Sequence, residues 1–235
     1  MSRRDELGRN LAAVHDRIAA ACAAAGRDAG EVTLVVITKF FPASDVRLLA
    51  DLGVTDVGEN RHQEAAAKAE ECHDLGLTWH FVGGLQSNKA AAVAAYADVV
   101  HSVDRAKLVG PLDRGAGERP GRPGPLDVLL QVSLDPPGTE HRAGAAPDRL
   151  ADLAGRIADA EHLRLRGLMA VAPLGEDPVE AFCRLAAVRA EFVSDHPAAT
   201  WLSAGMSGDL EEAIAAGATH VRVGTAVLGS RPRVQ

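Results

Sequence analysis

Apolar positions along this chain follow two periods, and the two periods take turns. Leu7, Leu11, Val14 and Ile18 recur at helical spacing within a polar stretch, predicting an amphipathic helix from Asp5 to Ala25. Val32–Thr38 (VTLVVIT) is instead an unbroken, β-branched apolar run, as expected of a strand buried on both faces of a parallel sheet. A helix over Ala43–Leu52 follows and ends at Gly53, a residue suited to the left-handed position after a helix. The unit then repeats. Further strands are predicted at Val54–Val57, Thr78–Val82, Asp98–Val103, Leu126–Leu134, Leu163–Val171, Thr200–Ala204 and His220–Val223. Helical segments separate them, reaching about Leu75 and Tyr96, starting at Asp104 and Pro147, and covering Pro178–Ser194 and Asp209–Ala216.

Eight strands alternating with helices imply a parallel sheet, and eight is the number that closes a barrel. The expected fold is a single TIM-type (β/α)8 barrel over residues 31–235, preceded by an extra N-terminal helix within 1–30. An open doubly wound sheet would need fewer strands and a glycine-rich phosphate turn after the first; no such turn follows Thr38. Gly115–Pro125 (GAGERPGRPGP) reads as a mobile surface loop unable to sustain a helix, and Asp135–Pro147 as a loop overhanging the strands' C-terminal ends.

Composition narrows the reading. The 235 residues suit one barrel domain. With 47% hydrophobic but only 3% aromatic residues, Ala, Val and Leu must fill the core. A net charge of −7 argues against nucleic acid as a partner. Cys22, Cys72 and Cys183 are scattered and odd in number, which fits reduced thiols in the cytoplasm. The nine histidines lack metal-binding spacing, and no apolar run is long enough for a membrane span or a signal peptide.

Chemistry in a barrel gathers where strands end. Lys39 directly follows the first strand, where partial desolvation would favour the neutral amine needed to form a Schiff base; a solvated lysine is the plainer alternative. Strand seven runs into Leu202-Ser203-Ala204-Gly205-Met206-Ser207-Gly208 and strand eight into Val223-Gly224-Thr225. Small residues at these two turns are the usual phosphate cradle of a barrel, with Ser207 and Thr225 adding hydroxyls; ordinary helix caps are the alternative. Arg222 shares a strand face with Gly224, and a guanidinium there needs an acceptor, either a pyridine-type nitrogen or a carboxylate on a neighbouring strand.

Together these motifs resemble the pyridoxal phosphate homeostasis proteins, related in fold to the N-terminal barrel of alanine racemase. The resemblance is carried by Thr38–Pro42, Gly58-Glu59-Asn60, Trp79–Gly83, Leu85–Lys89, Arg166–Met169, Leu202–Ser207 and Val221–Thr225 with Gly229. It implies pyridoxal 5′-phosphate (PLP) held as a Schiff base on Lys39, with Asn60 along its face. Gly205, Ser207, Gly224 and Thr225 would stand at its phosphate, Arg222 at its pyridine nitrogen, and Met169 and His80 as barrel-lining neighbours. It implies a carrier in cytoplasmic vitamin B6 homeostasis, with PLP-dependent apoenzymes as recipients and no catalytic residue of its own, while the lack of a large aromatic patch points to a monomer. The sequence departs from the family pattern at Arg61-His62, where an aromatic and an aliphatic residue are common, and at Gly84, where proline is frequent.

Two enzymatic readings compete. A racemase-like PLP enzyme of fold type III would need a second base opposite the lysine. In alanine racemase-like enzymes that base is a tyrosine from an additional C-terminal domain, expected to be missing here, and the single tyrosine, Tyr96, falls in the Ala-rich helix. A class I aldolase-like barrel would share both the lysine and the cradle. An arginine at the pyridine nitrogen weakens PLP as an electron sink, so binding without robust turnover is the expectation.

Overall fold

The computed structural model describes residues 2–119, 124–135 and 143–230. Eight strands run β1 (Thr33–Ile37), β2 (Asp56–Glu59), β3 (Thr78–Phe81), β4 (Val99–Val103), β5 (Leu126–Gln131), β6 (Leu163–Met169), β7 (Trp201–Ser203) and β8 (His220–Val223). All pair in parallel, each with its successor, and β8 returns to β1 with Val35 opposite Arg222, closing the predicted barrel. Around it lie α1 (Arg3–Ala24), α2 (Ala43–Asp51), α3 (His62–Glu71), α4 (Ala90–Ala94), α5 (Val109–Gly117), α6 (Leu150–Ala158), α7 (Pro178–Asp195), α8 (Leu210–Ala215) and α9 (Thr225–Leu228).

The role of α1 follows from the brevity of α9. Four residues cannot cover the outside of β8, so α1 supplies that layer. Leu7, Leu11, Val14 and Ile18 pack in one cluster with Val36 of β1, Val46 and Leu49 of α2, Leu210 and Ile214 of α8, and Val221 and Val223 of β8. A Ser2–Asp5 capping box starts the helix. Arg17 then forks onto both carboxylate oxygens of Glu211 at 2.7 and 2.8 Å, and Arg3 bonds Asp45 at 2.7 Å. No helix among the described residues is long and apolar enough to cross a membrane.

Several predicted boundaries move by a few residues, β5 ending at Gln131 and β6 at Met169, and two of the shifts have a clear local reason. The second strand begins at Asp56, not Val54. Gly53, at φ +91°, bonds the Ala50 carbonyl, and the Val54 N–H reaches back to Leu49, so a Schellman motif consumes Val54. The expectation that Gly115–Pro125 cannot be helical fails at its start, because α5 continues through Gly117. A Cβ at Gly115 would stand 2.4 Å from the Ala91 carbonyl oxygen, so the glycine lets α5 press against the backbone of α4, and that packing outweighs its poor propensity. The rest of that loop, at 120–123, and most of the second, at 136–142, lie outside the described residues. The end of the second loop returns beside β5, where Ala145 pairs with Val132.

Candidate functional site

Strand alternation gives the barrel a polar interior. Val35 and Ile37 of β1 reach across Gly58, where a Cβ would stand 2.5 Å from Ile37 Cδ1. Val99, Leu129 and Met169 form a small apolar cluster of their own. Between them runs a chain of buried polar groups from β8 to β2. Arg222 Nη1 donates to Ser203 Oγ at 2.6 Å, and Ser203 Oγ meets His101 Nδ1 at 2.9 Å. His101 Nε2 meets His80 Nδ1 at 2.8 Å, and His80 Nε2 meets Asp56 Oδ1 at 2.9 Å.

The two ends fix the direction of the outermost bonds. A guanidinium only donates and a carboxylate only accepts. Ser203 Oγ therefore accepts from Arg222, and Asp56 Oδ1 accepts from His80 Nε2. Burial, then the neighbouring His80 and Arg222, hold the His101 pKa well below the ordinary histidine value. Burial would raise the Asp56 carboxyl, but the bonds from His80 and Thr55 prevail and keep it below the usual range. Beside the chain, burial brings His220 down to about 4.

Arg222 is the unusual member. It is 5% exposed, its Nη2 donates to the Ala170 carbonyl at 2.9 Å, and among the described residues no carboxylate stands within ion-pair distance of it. Desolvation lowers its pKa to about 10. The carboxylate alternative raised by the sequence is therefore not the arrangement found.

Lys39 leaves the end of β1 half-buried, in a turn held by an unusual clamp. The next residue, Phe40, has φ +71°, a left-handed conformation that is strained for a bulky side chain. Its N–H donates to Glu64 Oε1 at 2.5 Å, and the Arg61 guanidinium lies 5.3 Å from its ring centroid. Glu64 in turn accepts from Lys68 Nζ at 2.8 Å. Lys68 also donates to the Thr38 carbonyl at 2.7 Å and to Glu59 Oε1 at 2.6 Å, and Thr38 Oγ1 adds a second bond to that oxygen. Burial pushes the Glu59 carboxyl upward against the pull of Lys68 and Thr38. One buried ammonium thus ties the residue before Lys39, the residue after it and the end of β2 into a single unit.

The turns after β7 and β8 meet at the same end of the barrel. Gly205 has φ +89°, and a Cβ there would stand 2.6 Å from Ala213 Cβ. Its carbonyl accepts from the Arg222 N–H, and Asp209 Oδ1 accepts from the Met206 N–H at 2.6 Å. Ser207 Oγ reaches the Ala226 N–H at 3.4 Å, joining the two turns. Gly224 stands at the N-terminus of α9, and a Cβ on it would approach the Ile37 carbonyl at 3.2 Å, so β8 can lie close to β1 just below Lys39. The backbone N–H groups of Ser207 and Thr225 have no partner among the described residues.

Of the residues singled out in the sequence, Lys39, Asn60, Met169, Gly205, Ser207, Gly224 and Thr225 all sit at C-terminal strand ends or the turns after them. Asn60 owes its position to Gly83, where a Cβ would collide with the Asn60 carbonyl. Arg222 lies just below, within the barrel. His80 lies deeper, with both ring nitrogens engaged. Sequence reasoning missed Glu59, Glu64, Lys68, His101 and Ser203 as supporting residues. The four-residue spacing of Glu64 and Lys68 was a visible signal; the contact of His101 with Ser203, 102 residues apart, had none. An amine at one edge, unpartnered backbone N–H groups at another and a buried guanidinium below fit a phosphorylated pyridine aldehyde. Among the described residues no cluster could hold a metal.

The barrel and its site define a class, the alanine racemase N-terminal domain type, and the family model "Alanine racemase, N-terminal domain" matches residues 10–232. Relatives resolve it further. The chain is 45% identical to the pyridoxal phosphate homeostasis protein of Mycobacterium tuberculosis, covering 97% of this chain and 94% of the relative. It is 38% identical to that of Escherichia coli, covering 97% of both. The structure of PipY from Synechococcus elongatus with PLP bound superposes with a TM-score of 0.80 at 37% identity, covering 95% of this chain and all of that one. The chain belongs to the pyridoxal phosphate homeostasis protein family. Alanine racemase of Clostridium difficile, at 12% identity and a TM-score of 0.69, shares the fold.

Proposed function

We propose that this protein binds PLP as a Schiff base on Lys39 and serves cytoplasmic PLP homeostasis without robust turnover of its own. The observation that carries the reading is Arg222, a buried guanidinium without a carboxylate partner, on the strand beside the one that ends at Lys39. Bound there, PLP supplies an aldehyde that captures amines reversibly. The Lys68 clamp holds the Lys39 turn in place, Ser207 and Thr225 offer backbone and hydroxyl donors to the phosphate, and Asn60 lines the ring's face. Arg222 offers donors to the pyridine nitrogen, and its positive charge keeps that nitrogen unprotonated. PLP-dependent apoenzymes are the proposed recipients, and a monomer the proposed working form.

Turnover of the racemase kind needs a base opposite Lys39. Tyr96 follows α4, its hydroxyl is buried without a protein partner, and its ring stacks on His62 with centroids 5.8 Å apart. Burial, with Glu59 nearby, raises its pKa, which opposes a role as a base. The test is spectroscopic. Adding PLP to the purified protein should create a visible absorption band that borohydride abolishes, leaving a pyridoxyl adduct that peptide mass analysis finds on Lys39. A protein that stays colourless, or an adduct on another lysine, would overturn the assignment. Sustained amino-acid racemisation, lost in Lys39→Ala, would overturn the non-catalytic part alone.

A further inference from the structure

A cavity of about 190 Å³ opens at the rim of the barrel between the turn after β2 and the turn after β3. Its wall includes Asn60, Arg61, His62, Gln63, Gln86 and Lys89, and no carboxylate lines it. This cationic character stands out in a chain of net charge −7. Elsewhere, Arg3, Arg17, Arg47 and Lys68 each meet an acidic side chain. Arg61 and Lys89 have no carboxylate within ion-pair distance among the described residues.

Two further observations point to a ligand. His62 Nδ1 is buried without a protein hydrogen-bond partner. The Arg61 guanidinium lies over the Phe40 ring, 5.3 Å from its centroid, and Arg61 also lines the cavity. Arg61 is also the N-cap residue of α3, and no side chain caps that helix. Two cationic side chains thus border a cavity that holds no carboxylate to meet them.

We propose that the cavity binds a small organic carboxylate, with Arg61 and Lys89 as its charge partners. A planar carboxylate matches the edge of a guanidinium with two parallel hydrogen bonds, while the side-chain amides of Asn60, Gln63 and Gln86 can meet the ligand's remaining polar groups. Phe40 links this subsite to the Lys39 turn, so a bound carboxylate would lie beside the proposed cofactor site. Asn60 is shared with the proposed cofactor site, but Lys39 does not line the cavity, and Arg61 and Lys89 have no part in the PLP assignment.

Calorimetric titration of the full chain tests it, with succinate, its uncharged isostere succinamide and inorganic phosphate as probes. Succinate should bind and succinamide should not. Arg61→Gln and Lys89→Gln should each weaken succinate at least tenfold while leaving the melting temperature unchanged. Lys39→Ala should retain succinate binding, so that failure of the PLP reading leaves this one standing. Equal affinity for succinate and succinamide, unaltered affinity in both Gln variants, or tighter binding of phosphate than of succinate would each overturn the carboxylate site.

Discussion

The inside and the outside of this barrel are both buried, yet they are built from opposite chemistry. The outer shell, between strands and helices, is apolar throughout two large clusters, mostly Leu, Val and Ala. The interior carries His80, His101, Ser203, His220 and Arg222, with half-buried Asp56 at its edge, among a few apolar residues. Apolar burial rewards each residue separately, so the shell tolerates many solutions. A polar interior is favourable only when donors and acceptors agree all along a chain. The interior here meets that condition from Arg222 to Asp56, and only the guanidinium lacks an anionic counterpart. The contrast locates function: the shell holds the barrel closed, and the interior holds a buried guanidinium that no carboxylate neutralises.

The sharpest way to break the comparison is to truncate both regions. Phe182→Ala in the shell should cost about 3–5 kcal/mol in urea unfolding, since a fully buried ring leaves a cavity. Lys68→Met should cost a similar amount, about 3–5 kcal/mol, because Glu59 would remain buried without its counter-charge. Unlike Phe182→Ala, it should also weaken borohydride trapping of PLP on Lys39 under conditions where the protein stays folded, because the clamp on Phe40 is lost. If both variants trap PLP equally well, the clamp is merely structural.

Acid should sharpen the contrast next. His220 titrates at about 4 in the folded protein, against roughly 6.5 in an unfolded chain. Between these values the unfolded state binds more protons, so stability falls as pH drops through 6.5 towards 4, by up to about 3 kcal/mol. His101 shifts in the same direction. Thermal unfolding from pH 7 to 4 should show this loss, reduced in His220→Asn. A parallel pair of pH profiles would remove His220 as a cause.

A smaller effect tests a close approach of two helix backbones in the shell. Gly115→Ala should cost about 1–3 kcal/mol by forcing α5 away from Ala91. The smallest expected effect is the most telling. Arg222→Met exchanges a buried, anion-free guanidinium for an apolar chain of similar length, and should change the stability of the PLP-free protein by under about 1 kcal/mol. Its PLP affinity should nonetheless drop measurably in a spectroscopic titration. A large loss of stability with unchanged PLP affinity would assign Arg222 to the fold instead.

How much could be read beforehand depended on the range of each interaction. Eight strands, the barrel and the strand-end position of Lys39 followed from local periodicity, because hydrophobic spacing is written into consecutive residues. Gly53 marked a helix end correctly, but its Schellman bonds, which displaced β2 by two residues, did not show in the strand pattern. Gly115 looked like a helix breaker; its value lies in a neighbour 24 positions away. The polarity of the interior was legible only at Arg222 and His80; the chain itself was hidden, since His80, His101, Ser203 and Arg222 come from four strands that meet only when the barrel closes.

The sequence by itself determined that Lys39 would end a buried strand, that small residues would follow β7 and β8, and that Arg222 would share a face with Gly224. These are one-dimensional facts of spacing. The tertiary structure alone decided that Lys68 grips both flanks of Lys39, that Arg222 has no carboxylate, and that Arg61 and Lys89 border one cavity. Pairing across a barrel depends on which strands become neighbours and in what register, and that is settled by closing the whole ring.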